Sequence, residues 1–218
     1  IKDGATIRGI VFDGASEVAD AIRIDDTVTG APVVISGCTV RNYTNRFVYV
    51  SLSGKIESLT IDDCIFIGAD NSTTNKAIYA SSAHTQVETL SVTNSTFLNF
   101  NTGSNYFFRI NCGEELVLMP VVLIDHCTFY NCYDRRGVYL YNAGRSTIKN
   151  CISAFSERRD DTKSFTAYGD ESIVKNVISY NVDLYGSAPK ENIISKNPLF
   201  VDAENGNFQL YKDSPAVG

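Results

Sequence analysis

Basic and aromatic residues recur together at one place in a repeated pattern along this chain. Five short stretches carry them: RFVYVS (46–51), KAIYAS (76–81), YFFRIN (106–111), RGVYLY (136–141) and KSFTAY (163–168). A tyrosine ring offers a flat, amphipathic surface to a sugar ring, and an arginine can bind a carboxylate or sulfate through two parallel hydrogen bonds. These residue types at regular intervals therefore indicate a surface that contacts a polysaccharide, either acidic or neutral.

Side chains alternate across a strand, so each stretch divides into inward and outward rows. We predict that Val48, Ile78, Phe108, Val138 and Phe165 point inward. We predict outward rows of Tyr49, Tyr79, Arg109, Tyr139 and Thr166, with Arg23 below, and of Ser51, Ser81, Asn111 or Ile110, Tyr141 and Tyr168. The expected ligand-binding residues are Arg46, Tyr49, Tyr79, Arg135, Tyr141 and Lys163. A purely structural role stays open, because tyrosine and arginine rows also stabilise a sheet surface by cross-strand packing.

Elimination from a uronate is the reaction that these side chains could best support. It requires a base for the C5 proton and a positive charge near the carboxylate, and the candidates are Arg109, Arg136 and Lys76, with Tyr139 as proton donor. Asp134, Asp160 and Asp161 precede two neighbouring stretches and could hold Ca²⁺ through oxygen, or could be solvated loop charges. Glycoside hydrolysis is less favoured, because it needs converging carboxylates, which the acidic doublets do not supply.

A repeated ten-residue phrase must position these stretches. It occurs as LTIDDCIFIG (59–68), LSVTNSTFLN (90–99), LIDHCTFYNC (123–132) and STIKNCISAF (146–155). Alignment on its central small residue brings together Ile10, Cys38, Cys64, Ser95, Cys127, Cys151 and Val177, separated by 28, 26, 31, 32, 24 and 26 residues. Such periods predict a solenoid. With two strands in each phrase and a third after it, we predict an all-β, single-stranded right-handed parallel β-helix of about seven coils, one domain spanning 1–218.

The residues at the bend of the phrase are predicted to be structural. Asp63, Asn94, His126, Asn150 and Asn176 share this corner position, where side-chain amides can bond one another from coil to coil. His126 is interpreted as a member of this ladder and not as a catalyst. Four of the six cysteines lie in the aligned small-residue row, which favours an interior apolar role. Their spacing does not match a zinc finger.

Certain segments resemble a known superfamily. IDHCTF, IKNCIS and the closing segment NPLFVDAENGNFQLYKDSPAVG (197–218) resemble right-handed parallel β-helix proteins of the pectate-lyase-like superfamily. The closing segment is similar to the last coil of chondroitinase B and alginate-lyase-like proteins, and of uncharacterised secreted bacterial domains. The resemblance implies an extracytoplasmic protein, whether secreted, at the cell surface or periplasmic, with a carbohydrate ligand.

Charge and hydropathy limit the classes of partner that the chain can have. The net charge of −6 disfavours nucleic acid as a partner, and no apolar run reaches the length of a membrane helix. The chain opens within a predicted strand, so we interpret it as the C-terminal part of a longer secreted protein, and we expect a monomer. The outward rows show no acidic cluster, which favours a noncatalytic or divergent lyase-like module. An active uronate lyase and a structural or adhesin stalk without a glycan site remain the alternatives.

Overall fold

The computed structural model describes residues 1, 3–25, 27–28, 31–51, 55–68, 75–82, 85–100, 106–112, 120–141 and 143–217. In chain order its strands are β1 (Ala5–Arg8), β2 (Val11–Asp13), β3 (Asp20–Ile24), β4 (Thr27–Val28), β5 (Val33–Ser36), β6 (Thr39–Arg41), β7 (Arg46–Val50), β8 (Lys55–Asp62), β9 (Ile65–Ile67), β10 (Lys76–Ser82), β11 (Gln86–Thr93), β12 (Thr96–Leu98), β13 (Phe108–Cys112), β14 (Val121–Asp125), β15 (Thr128–Tyr130), β16 (Val138–Leu140), β17 (Arg145–Ala154), β18 (Lys163–Ala167), β19 (Ile173–Tyr180), β20 (Asp183–Tyr185), β21 (Lys190–Ile194), β22 (Phe200–Asp202) and β23 (Asn207–Leu210). A short 3-10 helix covers Ala203–Asn205.

The strands form a parallel β-solenoid. A seven-stranded sheet has the order β20-β18-β16-β13-β10-β7-β3, and a 14-stranded sheet contains both strands of every repeated phrase. These two strands belong to one sheet because β17 pairs with β14 and then, beyond the corner, with β15. Neighbours in each sheet come from successive repeats, so equivalent residues lie above one another. The predicted all-β class and parallel solenoid are confirmed.

The number of turns differs from the prediction. The solenoid has about five turns, whereas the spacing of the phrase predicted about seven. The least regular strands lie at the two ends. β1 and β2 are half-exposed, and β20 pairs with β18 through a shift in register between Lys163 and Thr166. The periodicity of the sequence continues into these ends, but regular coil geometry does not.

The corner residues adopt the left-handed conformation that the bend requires. Their φ angles are positive: Asp63 51°, Asn94 51°, His126 53°, Asn150 52° and Asn176 52°. Asparagine and aspartate tolerate this conformation because their short polar side chains can bond locally. The Nδ2 of Asn192 donates to Oδ1 of Asn176 at 3.0 Å, and the Nδ2 of Asn176 donates to Oδ1 of Asn150 at 3.2 Å. We call Asn150, Asn176 and Asn192 the amide ladder.

The small-residue row lies inside the solenoid. Cys38, Cys64, Cys127 and Cys151 are each 1% exposed and carry free thiols. Each thiol donates to the carbonyl oxygen two residues earlier, as from Cys64 Sγ to the Asp62 oxygen at 3.2 Å. An interior stack of rings fills the space beside this row, with Phe97 4.8 Å from Phe129 and 5.0 Å from Phe66. The apolar interpretation of these cysteines agrees with this arrangement.

The closing segment does not form another coil. Its strands β22 and β23 pair antiparallel in a separate two-stranded sheet. Their rings Phe200 and Phe208 contact Tyr130, with centroids 6.2 and 5.6 Å away. The segment therefore folds back along the solenoid wall and packs against it through aromatic contacts. Among the described residues, no helix is long and apolar enough to cross a membrane.

Candidate functional site

The predicted outward row exists and lies in register on the seven-stranded sheet. Successive Cα partners run Arg23, Tyr49, Tyr79, Arg109, Tyr139 and Thr166. The inward row is equally regular, and Val48, Ile78, Phe108, Val138 and Phe165 are fully buried. Ile110 faces the core, so Asn111 belongs to the next outward row with Tyr141. The stacking on which the site hypothesis depends is therefore present.

Tyr185 extends this row, and sequence reasoning missed it. It pairs with Thr166 at the end of the seven-stranded sheet. Its strand β20, with the three residues DLY, follows β18 after a shorter interval than the earlier strands. The sequence signal for Tyr185 is a single aromatic residue that follows the previous strand at a shortened interval. A search for the full strand pattern at the regular interval does not detect it.

Cations lie over two tyrosine rings of the outward row. The guanidinium carbon of Arg46 is 3.5 Å from the Tyr49 ring centroid, and that of Arg136 is 4.8 Å from the Tyr139 centroid. As a result Tyr49 and Tyr139 are only 6% and 5% exposed. Because these ring faces are covered from within the protein, a ligand can reach their edges only. The two tyrosines thus belong to the packing of the sheet surface, in line with the structural role that the sequence left open.

Arg109 lies at the centre of this surface. Its Nη1 donates to the Tyr106 hydroxyl, and its guanidinium carbon lies 4.4 Å from the Tyr106 centroid and 5.8 Å from that of Tyr139. In the described part of the chain, Arg109, Arg135 and Arg136 have no ion pair with a carboxylate. These three positive charges are consequently available to an anionic ligand.

Lys76 is the candidate base whose pKa is lowered by its surroundings. It is half-buried on the seven-stranded sheet, with its Nζ 5.4 Å from the Tyr106 centroid. Burial lowers the pKa of Lys76, the charge of Asp134 opposes that change, and the charges of Arg109 and Arg46 lower the pKa further. Burial also raises the pKa of the predicted proton donor Tyr139. A lysine with a lowered pKa is closer to the properties of a general base.

Six residues line a cavity of about 370 Å³ at one end of the surface, and five of them were predicted as site residues. They are Arg135, Arg136, Asp160, Asp161, Lys163 and Tyr185. We call this the basic cavity, because three cations face two carboxylates. One of these carboxylates is itself paired, since Arg158 Nε lies 2.9 Å from Asp160 Oδ1. Lys163 also pairs with Asp183 at 3.3 Å.

Tyr185 separates the basic cavity from a second one. This cavity, of about 310 Å³, is lined by Tyr168, Leu184, Tyr185, Gly186, Ser187 and Lys190. We call it the aromatic cavity. Tyr168 is held in place by edge-to-face contacts with Tyr141 and Tyr139, at centroid distances of 5.5 and 6.4 Å. The two cavities continue the tyrosine and cation rows toward the end of the sheet.

The three aspartates of the predicted calcium site do not converge. Asp134 is fully buried, whereas the Asp160 side chain is 90% exposed. Among the described residues, which include all three aspartates, no group of three or more Asp, Glu, His or Cys side chains converges. The turn places Asp134 beneath the surface near Lys76 instead of beside Asp160 and Asp161. Adjacency of two turns in a solenoid therefore does not determine which way their side chains point.

Another cavity, of about 480 Å³, lies between the C-terminal segment and the amide ladder. Apolar and amide side chains line it, including Ile152, Ile178 and Leu210. The described residues that line it include no lysine or arginine, so it does not suit an anionic ligand as the basic cavity does.

One family model matches the N-terminal part of the chain. A family model described as "Domain of unknown function (DUF4957)" matches residues 1–102, which run from the start of the chain to just beyond β12. No curated protein matches the chain. The matched segment includes Arg46, Tyr49, Lys76 and Tyr79 but ends before Arg109 and the basic cavity.

Proposed function

We propose that this β-solenoid domain binds an acidic polysaccharide along its seven-stranded sheet without cleaving it. The observation that carries the proposal is the presence of three cations without ion pairs in the described chain, Arg109, Arg135 and Arg136, on a surface of stacked tyrosines. The whole chain has a net charge of −6, so this local excess of positive charge runs against the overall balance. Arginine binds carboxylate or sulfate groups in a planar, bidentate manner.

The arrangement suits a polymer better than a small molecule. Equivalent residues in neighbouring coils are separated by the strand spacing of about 4.8 Å, so charges and rings repeat at a regular interval. An acidic polysaccharide also presents charged and ring-shaped groups at regular intervals. Because such polymers lie outside the cytoplasm, we place the domain at the cell surface, in the periplasm or in the secreted fraction. The resemblance to pectate-lyase-like proteins supports the same choice.

The contacts of the candidate catalytic side chains favour binding without cleavage. Tyr139 is buried under Arg136, and Arg109 donates to Tyr106. Tyr139 is therefore not presented to a substrate as a proton donor should be, and Arg109 keeps its positive charge and directs an N–H at Tyr106 instead of acting as a base. The second candidate function, an active uronate lyase, is favoured by Lys76, since burial lowers its pKa beside Arg109.

Affinity electrophoresis against a panel of acidic and neutral polysaccharides tests the proposal. We expect retention by at least one acidic polymer that weakens as salt is raised, because ionic contacts are screened. Arg109→Ala should lower that affinity about tenfold. Arg145→Ala removes an exposed arginine from the 14-stranded sheet and should leave affinity unchanged.

Three other results would each reject the proposal. Binding to no polysaccharide would leave a structural stalk as the function. Equal losses for Arg109→Ala and Arg145→Ala would show that binding does not occur on this sheet. A rise in absorbance from an unsaturated uronate product would establish a lyase, with Lys76→Met expected to abolish it.

A further inference from the structure

A cavity of about 290 Å³ lies between the 14-stranded sheet and the C-terminal segment. It is not on the seven-stranded sheet that carries the tyrosine and cation rows. The solenoid contributes Tyr130, Ala154 and Tyr180 to its lining, and the C-terminal segment contributes Phe200 and Glu204. We call it the Ala154 cavity.

The Ala154 cavity opens where a small residue separates two large ones in one outward row. Tyr130 pairs with Ala154 in the next coil, and Ala154 pairs with Tyr180 in the coil after that. The two tyrosines are therefore two strand spacings apart, about 10 Å, with only a methyl group between them. A group midway between rings at this spacing lies about 5 Å from each, within the range of about 6 Å over which an aromatic face attracts a cation.

The lining carries negative charge and no positive charge. Glu204 is exposed and forms no ion pair in the described chain, and the described residues around the cavity include no lysine or arginine. Burial raises the pKa of Tyr130, and the charge of Glu204 raises it further, so this carboxylate acts on the ring. In the part of the chain that the structure describes, no cation lies over Tyr130 or Tyr180.

These surroundings suit a quaternary ammonium group better than a primary one. A primary ammonium has three N–H donors, which need acceptors when water is removed. Two polar side chains of the lining are already engaged, since Asn197 Oδ1 accepts from the Leu199 N–H at 2.9 Å and the Ser156 hydroxyl lies 2.9 Å from that of Tyr133. A quaternary ammonium has no N–H, and aromatic faces are its usual partners in proteins.

We infer that the Ala154 cavity binds a quaternary ammonium group between Tyr130 and Tyr180, with Glu204 as the counter-charge. The site lies on a different sheet from the proposed polysaccharide surface, and its ligand is a cation where the polysaccharide is an anion. Two sources share this chemistry, a free compound such as choline and the headgroup of phosphatidylcholine.

NMR titration with choline and with dimethylbutanol tests this inference. Dimethylbutanol is the uncharged isostere of choline, in which a carbon atom replaces the nitrogen. We expect choline to bind at least about tenfold more tightly, because only the charged compound is attracted to two ring faces.

Variants of the lining separate the contributions of charge, ring and space. Glu204→Gln should weaken choline binding about threefold, as expected for an exposed carboxylate, and Tyr180→Ala about fivefold, whereas Tyr180→Phe should retain it. Ala154→Leu fills the space between the rings and should abolish binding. Glu171→Gln is the matched control, because Glu171 is exposed and does not line the cavity, and it should behave as the wild type.

Three results would each overturn the inference. They are no binding of choline, equal affinity for choline and dimethylbutanol, and equal weakening of choline binding by Glu204→Gln and Glu171→Gln. Arg109-dependent binding of an acidic polysaccharide would survive all three. Cosedimentation with phosphatidylcholine vesicles distinguishes the two sources: cosedimentation that free choline prevents supports a lipid headgroup, and its absence in a chain that binds choline supports a free compound.

Discussion

The guanidinium group of Arg46 lies over the Tyr49 ring and at the same time binds Asp20. Its carbon is 3.5 Å from the Tyr49 ring centroid, and its Nε and Nη2 donate to the two carboxylate oxygens of Asp20 at 2.8 and 3.0 Å. The Arg46 and Asp20 side chains are mostly buried. The cation and tyrosine rows therefore stabilise the sheet at this end, while the cations without ion pairs lie farther along it.

Removal of Arg46 should accordingly reduce stability. Arg46→Ala leaves the mostly buried carboxylate of Asp20 without its bidentate partner and uncovers Tyr49, so we expect a loss of about 2 kcal/mol in the free energy of unfolding. Urea denaturation measures it. Arg41→Ala is the matched control, because the Arg41–Asp13 pair is exposed and should contribute less than about 1 kcal/mol. Equal losses of unfolding free energy in the two variants would show that burial of the Arg46–Asp20 pair does not increase its contribution to stability.

The amide ladder contributes to stability through its side-chain hydrogen bonds and through the left-handed backbone at the corner. Two substitutions of Asn176 can separate these two effects. Asn176→Gly removes the side-chain hydrogen bonds to Asn150 and Asn192 but keeps the backbone free to adopt a φ of 52°. Asn176→Ala loses the same bonds and adds strain of about 1–2 kcal/mol in the left-handed region. We expect alanine to be more destabilising than glycine by that amount in urea denaturation. If glycine is the more destabilising of the two, backbone conformation does not determine the residue at this corner.

The rows of the solenoid could be predicted from the sequence because stacking converts a repeated phrase into aligned side chains. The interior positions of Cys64 and Phe108, and the common wall of Tyr79 and Arg109, required only the period and the alternation of the strands. Corner asparagines such as Asn94 could be recognised because one residue type repeatedly occupies a bend.

Other features depend on three-dimensional contacts that no period describes. The direction of the Asp134 side chain depends on the turn that carries it, and it points beneath the surface. A second row of left-handed asparagines, Asn42, Asn99, Asn131 and Asn181, lies four residues after the small residue of each phrase. It was missed because other residue types, such as Gly68 and Phe155, interrupt the row at the same position. Tyr185 was missed because the last strands follow at a shortened interval.

Asp125 should make the stability of the folded chain decrease at acidic pH. Burial acts to raise its pKa, but hydrogen bonds from Asn150 and Lys149, with the charges of His126 and Lys149, outweigh burial and hold the pKa of Asp125 below its usual value. A carboxyl with a lower pKa in the folded state contributes stability above about pH 4, and that contribution disappears as the pH falls through the folded pKa.

We therefore expect Asp125→Asn to lose stability near neutral pH and to show a weaker decline than the wild type on acidification below about pH 4. Urea midpoints measured across this range provide the test. Asp161→Asn is the control, since Asp161 is exposed and forms no ion pair in the described chain. Parallel pH profiles for Asp125→Asn and the wild type would refute the prediction.

The thiol of Cys64 should resist alkylation as long as the solenoid is folded. Burial raises the pKa of Cys64 to about 11, and its thiol donates to the Asp62 carbonyl oxygen. The thiolate is the nucleophile, so at pH 8 only about one molecule in 1,000 presents a reactive group, and that group has almost no exposure. We expect iodoacetamide to label Cys64 only after denaturation, as peptide mass mapping can measure. Cys64→Ser should fold, because Ser95 occupies the same row and donates to the Thr93 oxygen at 2.7 Å. Rapid labelling of Cys64 in the native protein would show that the interior row is open to solvent.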